Sequence, residues 1–103
     1  MLDHSREASA MAGDRSRDEL HSDRMLNLAL VRLLEIVGEA AARIPEDFRS
    51  QHPEVPWQDV ADLRNRLIHG YDAVDLDVLW AIITDDLGPL TAQLEIIINT
   101  DEE

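Results

Sequence analysis

A chain of 103 residues with 45% apolar content can bury one modest core but not two, and it is too apolar for a disordered segment. Only four residues are aromatic (Phe48, Trp57, Tyr71 and Trp80), and the excess of Leu, Ile, Val and Ala over them favours an all-helical fold. Twenty-two acids against nine bases, every base an arginine, leave a net charge of −13. That excludes a broad basic nucleic-acid-binding face, and the lack of cysteine excludes disulfides, thiolate metal ligands and a cysteine nucleophile.

The opening MLDHSREASA carries acids where a secretory signal needs an apolar stretch, and no run approaches the roughly 18 apolar residues of a membrane span. The expectation is a cytoplasmic protein with no membrane partner. Residues 2–12 suit a short helix, with Leu2, Ala8 and Met11 roughly on one side, ended by Gly13-Asp14-Arg15-Ser16. Residues 1–19 thus read as a shortened first helix, and Asp18 or Ser22 is placed to cap the next. The strongest element is 23–44, where Leu26, Leu30, Leu33, Val37, Ala40 and Ile44 step by three or four along one stripe. Leu28, Val31, Leu34 and Ala41 widen that stripe, so the helix needs cover on two sides. Glu39 and Arg43 are spaced for an i,i+4 pair. The small residues Gly38 to Ala42 invite close approach of another helix, from this chain or from a second copy.

Three of the four prolines fall in 45–56, which reads as a connection. Pro56 suits the first turn of a helix starting at Trp57, with Val60, Leu63, Leu67 and Ile68 inward and Gly70 as its left-handed stop. Asp75 or Asp77 is placed to cap a further helix facing the core through Leu76, Leu79, Ile82, Ile83 and Leu87. Gly88-Pro89 should kink or divide it before a last segment carrying Leu90, Leu94, Ile97 and Ile98, and residues 100–103 should fray. The reading is one all-α domain over residues 1–103, a four- to five-helix bundle.

For chemistry, the histidines are at least 17 positions apart, so no local pair makes a metal site and no metal or cofactor is called for. His4 and His21 read as surface residues, His52 as structural or exposed, and Trp57 and Trp80 as core or interface. Asp75, Asp77, Asp85 and Asp86 read as caps and solvated charge. His69 stands out for its company: Arg64, Asn65, Arg66 and Tyr71 lie within eight positions of one another. A histidine exchanges protons near neutral pH, and an arginine grips phosphate and stabilises charge that builds on it. Together they suffice to cleave RNA through its own 2′-hydroxyl. On an ideal helix, however, Arg64 and His69 point about 140° apart. Directing them together requires the helix to loosen near Gly70, or a site shared between chains. The plainer reading, which leads on spacing alone, has His69 favourably placed at a helix C-terminus while Arg64 and Arg66 pair with nearby acids.

Arg64-Asn65-Arg66-Leu67-Ile68-His69-Gly70-Tyr71 resembles the R-x4-H-x-Y signature of HEPN-domain proteins of the HepT-like toxin branch. IVGEAA (36–41), Pro56-Trp57 and YDAVDLDVLW…DLGPL (71–90) agree with it, so that the resemblance covers roughly residues 20–95. It implies a HEPN-type bundle and a homodimer whose two motifs share one cleft. It also implies a metal-independent ribonuclease that forms the toxin of a toxin–antitoxin pair. Arg64 would hold the phosphate and His69 would be the acid/base, with Asn65 and Arg66 in support. The implied partner is a minimal nucleotidyltransferase antitoxin of the MntA type, able to adenylylate Tyr71. The alternative is a non-catalytic helical dimer that binds such a nucleotidyltransferase or a nucleotide.

Overall fold

The computed structural model describes residues 1–69 and 73–102, with side chains described through residue 99. In chain order it runs α1 (Leu2–Ala12), α2 (Arg17–Ser22), α3 (Arg24–Ala42), α4 (Glu46–Gln51), α5 (Trp57–Ala61) and α6 (Leu63–Leu67). A two-residue ladder follows, β1 (Ile68–His69) and β2 (Ala73–Val74), and then α7 (Leu76–Ala81), a π-helical stretch (Ile82–Asp86) and α8 (Leu87–Glu102). The all-helical bundle read from composition and periodicity is what forms. Its packing members are α1, α3, the α5–α6 pair and the rod from α7 to α8.

The starts of the early helices are set by side chains other than those the sequence suggested. Ser16, not Asp18, caps α2: its hydroxyl accepts from the Glu19 amide at 3.1 Å, and Glu19 reaches back to the Ser16 amide. Asp23, not Ser22, caps α3 by accepting from the Leu26 amide at 3.0 Å. The other end of α3 is closed by an arginine. Arg49 of α4 donates to the carbonyls of Ala41 at 2.6 Å and Ile44 at 3.1 Å, tying α4 to the end of α3. The proline-rich connection therefore holds a short helix between Pro45 and Pro53. Glu39 meets Arg32, at 3.8 Å, rather than the Arg43 its spacing suggested.

Leu30, Leu34, Val37 and Ala41 of α3 are fully buried, and α1 and α5 pack on this helix from different sides. Gly38 is where α5 comes closest, since a Cβ there would lie 2.9 Å from the Val60 carbonyl oxygen. The small-residue stretch thus receives a helix of the same chain. On one side of α3 Met25 and Leu28 are 84% and 42% exposed, and the exposed Arg32 and Glu39 continue that side at steps of three or four, with the mostly buried Glu35 between them.

At the far end, the division expected at Gly88-Pro89 falls earlier, in the π-helical stretch. There the Leu87 amide bonds the Ile82 carbonyl, five residues back. Proline has no amide hydrogen and its ring crowds the carbonyl four residues back, which is Asp85. Widening the preceding turn lets Pro89 enter α8 without breaking the rod. Among the described residues no helix is long and apolar enough to cross a membrane.

Candidate functional site

The Trp57 helix does not run to Gly70. It kinks at Asp62, whose carboxylate takes a hydrogen bond from Gln58 at 3.1 Å, and it resumes as α6 with the Arg66 amide bonded to the Asp62 carbonyl. It then stops at Leu67. Ile68 is extended, at φ −115° and ψ 119°, and pairs antiparallel with Val74, as His69 does with Ala73. The cause is visible at Leu67, whose carbonyl accepts from the Asp75 amide at 2.7 Å. In a continuing helix that carbonyl would serve residue 71. Gly70, assigned above as the helix stop, and Tyr71 lie outside the described residues.

On this path the motif side chains meet different partners. Arg64, Asn65 and Arg66 are exposed on α6, while Leu63 and Leu67 anchor it in the core. Arg64 lies 3.9 Å from Glu35 of α3, a mostly buried carboxylate that Arg32 approaches to 3.6 Å. Arg66 points elsewhere, to Asp86 at 3.5 Å. It edges a cleft of about 510 Å³ floored by Leu34, Val60, Leu63, Leu87 and Leu90. Neither Arg64 nor His69 lines that cleft, so it is not where the motif converges. Both arginine pairs exceed ordinary hydrogen-bond length and are solvent-screened, so they leave the guanidinium groups open to other anions.

His69 is held more closely. Its Nε2 lies 2.9 Å from Asp75 Oδ2, while Asp75 Oδ1 accepts from the Val78 amide at 3.0 Å to cap α7. Asp75 therefore caps the helix, as its position suggested, and also meets the motif histidine. The Val78 amide and then the His69 ring hold its carboxyl below the usual carboxylate range. Asp77, two residues on, is occupied by Arg17 and His21 of α2.

Two partners were missed in the sequence, Asp75 for His69 and Glu35 for Arg64. A six-residue separation matches no helical repeat, and only the fold-back at 68–74 brings Asp75 within reach. Of the other histidines, His21 is exposed, His4 is half-buried rather than fully at the surface, and His52 is structural, its ring tilted against Phe48 at 4.6 Å while its carbonyl receives the Trp57 indole N–H at 2.9 Å. Among the described residues no group of three or more His, Asp or Glu side chains is placed to hold a metal ion.

The fold and this cluster describe an all-helical protein that presents two loosely paired arginines and a carboxylate-bound histidine around one helix-to-strand junction. The chain belongs to the HepT-like ribonuclease family, whose model matches residues 1–97. It is 44% identical over 73 residues to "Probable ribonuclease HepT" of Thermococcus cleftensis, a match covering 71% of this chain and 66% of that relative. It is 35% identical over 97 residues to "Putative RNase MJ1380" of Methanocaldococcus jannaschii, covering 94% and 89% of the two chains. A third relative, "Putative RNase TTE0752" of Caldanaerobacter subterraneus subsp. tengcongensis, is 36% identical over 87 residues, covering 84% and 78%. No solved structure matches the chain.

Proposed function

We propose that this protein is a metal-independent endoribonuclease that works as a homodimer, with Arg64 and His69 of both subunits at one composite site. The observation that carries the reading is the surface around Glu35. Arg64 meets that mostly buried residue, which sits on the side of α3 that carries the exposed Met25, Leu28 and Arg32. A two-fold contact through this side would cover the exposed apolar side chains and bring two Arg64 groups toward each other. Arg64 and His69 meet different partners within one chain, and each subunit would then supply what the other lacks. The ribonuclease names of the relatives support the same class of reaction.

The chemistry is transfer within RNA itself. The 2′-oxygen forms a bond to the adjacent phosphorus as the bond to the 5′-oxygen breaks. One His69 takes the 2′-hydroxyl proton and the other gives a proton to the leaving oxygen. The products are a 2′,3′-cyclic phosphate and a 5′-hydroxyl. Arg64 grips the non-bridging oxygens, whose charge grows in the transition state, and Asn65 and Arg66 extend the contact to neighbouring phosphates. The net charge of −13 per chain repels RNA overall, so binding should depend on these few arginines.

The same reading makes the protein the toxin of a toxin–antitoxin pair, restrained by a nucleotidyltransferase of the MntA type that attaches AMP to Tyr71. An AMP group two residues from His69 would add negative charge and bulk where a substrate phosphate must sit. The test is cleavage of a mixed-sequence RNA in the presence of a chelator by wild type, His69→Ala and Arg64→Ala. Loss of about a hundredfold or more in each variant is expected. Cleavage that survives in His69→Ala would overturn the reading.

A further inference from the structure

We propose that Asp75 is the positioning residue for His69, holding the ring in the tautomer that leaves Nδ1 as the proton-exchanging nitrogen. This deepens the ribonuclease reading above and rests on it. Each Asp75 oxygen has its own partner. Oδ1 accepts from the Val78 amide at the start of α7 and cannot rotate away without opening that cap. The backbone amide of Asp75 is bonded to the Leu67 carbonyl at 2.7 Å, so the residue is fixed at both main chain and side chain. The remaining oxygen, Oδ2, is thereby aimed at Nε2 of His69, 2.9 Å away.

A carboxylate only accepts hydrogen bonds, so the shared hydrogen must sit on Nε2. The amide of Val78, followed by His69 itself, holds this carboxyl below the usual carboxylate range, so it is ionised at neutral pH. With Nε2 committed, the neutral ring carries its lone pair on Nδ1. That nitrogen takes a proton from the 2′-hydroxyl or, once protonated, returns one to the leaving oxygen. The ladder of Ile68 with Val74 and His69 with Ala73 brings Asp75 back beside the ring. The His69 side chain is 61% exposed, and among the described residues Asp75 is the group that holds its ring.

The test uses Asp75→Asn and Asp75→Ser in the full chain. Both residues cap helices about as well as aspartate, so α7 keeps its start while the carboxylate is removed. Nitrogen-15 NMR of the His69 ring should show hydrogen on Nε2 alone in the neutral wild type and a mixture of tautomers in both variants. Steady-state cleavage of RNA should show kcat lowered by about tenfold or more with KM within about twofold, because the lost function is proton transfer rather than binding. Unchanged tautomer populations, or unchanged kcat in both variants, would overturn the proposal. If the wild type cleaves no RNA, the ribonuclease reading falls. The NMR measurement then still decides whether Asp75 sets the tautomer.

Discussion

Gly38→Ala changes the protein by one methyl group at the closest approach of two helices. A Cβ at this position would lie 2.9 Å from the carbonyl oxygen of Val60 and 3.7 Å from Leu63 Cβ. The first distance is about half an ångström inside ordinary contact. The obstructing atom is backbone and cannot swing aside as a side chain would. Overpacking of this kind costs about 1–3 kcal/mol. Against it stands the gain of roughly 1 kcal/mol for alanine over glycine inside a helix. Because the clash is with main chain, the upper part of the range applies, and the net loss should be about 1–2 kcal/mol. For a chain of this length that is roughly 4–16 °C in Tm, read by circular dichroism at fixed protein concentration. Relief of the clash would push α5 outward and carry α6 with it, so Arg64 and Arg66 should shift too. A variant that melts at or above the wild-type temperature would refute the claim that Gly38 exists to admit α5.

Leu28→Asp should leave the fold intact, because the residue is already 42% exposed, yet abolish self-association and RNA cleavage together; sedimentation equilibrium and the cleavage assay check both. A monomeric variant with full activity would remove the composite site. The pH dependence of stability has a definite sign at Asp75. Its carboxyl titrates below the usual range when folded, so its contribution is complete above the unfolded pKa and disappears as pH falls through the folded one. Urea midpoints of wild type and Asp75→Asn should therefore differ at pH 6 and converge as pH falls through the lowered folded-state pKa.

The sequence by itself determined the helical class, the wide apolar stripe on α3, the capping role open to Asp75, and the crowding of Arg64, Asn65, Arg66 and His69 into one short stretch. All of these follow from periodicity or from neighbours along the chain, which local geometry governs. It also placed the difficulty correctly, since an unbroken helix would have turned Arg64 and His69 apart. The tertiary structure decided what those residues meet. The helix stops at Leu67 because the carbonyl there is taken by Asp75, eight residues on, and that same return delivers a carboxylate to His69. Likewise α5 fills the groove at Gly38 that a second chain was equally entitled to, and Glu35 rather than a neighbour on α6 draws Arg64 toward α3. Such pairings join groups distant in sequence, and no periodicity along the chain encodes them. They exist only once the helices have packed.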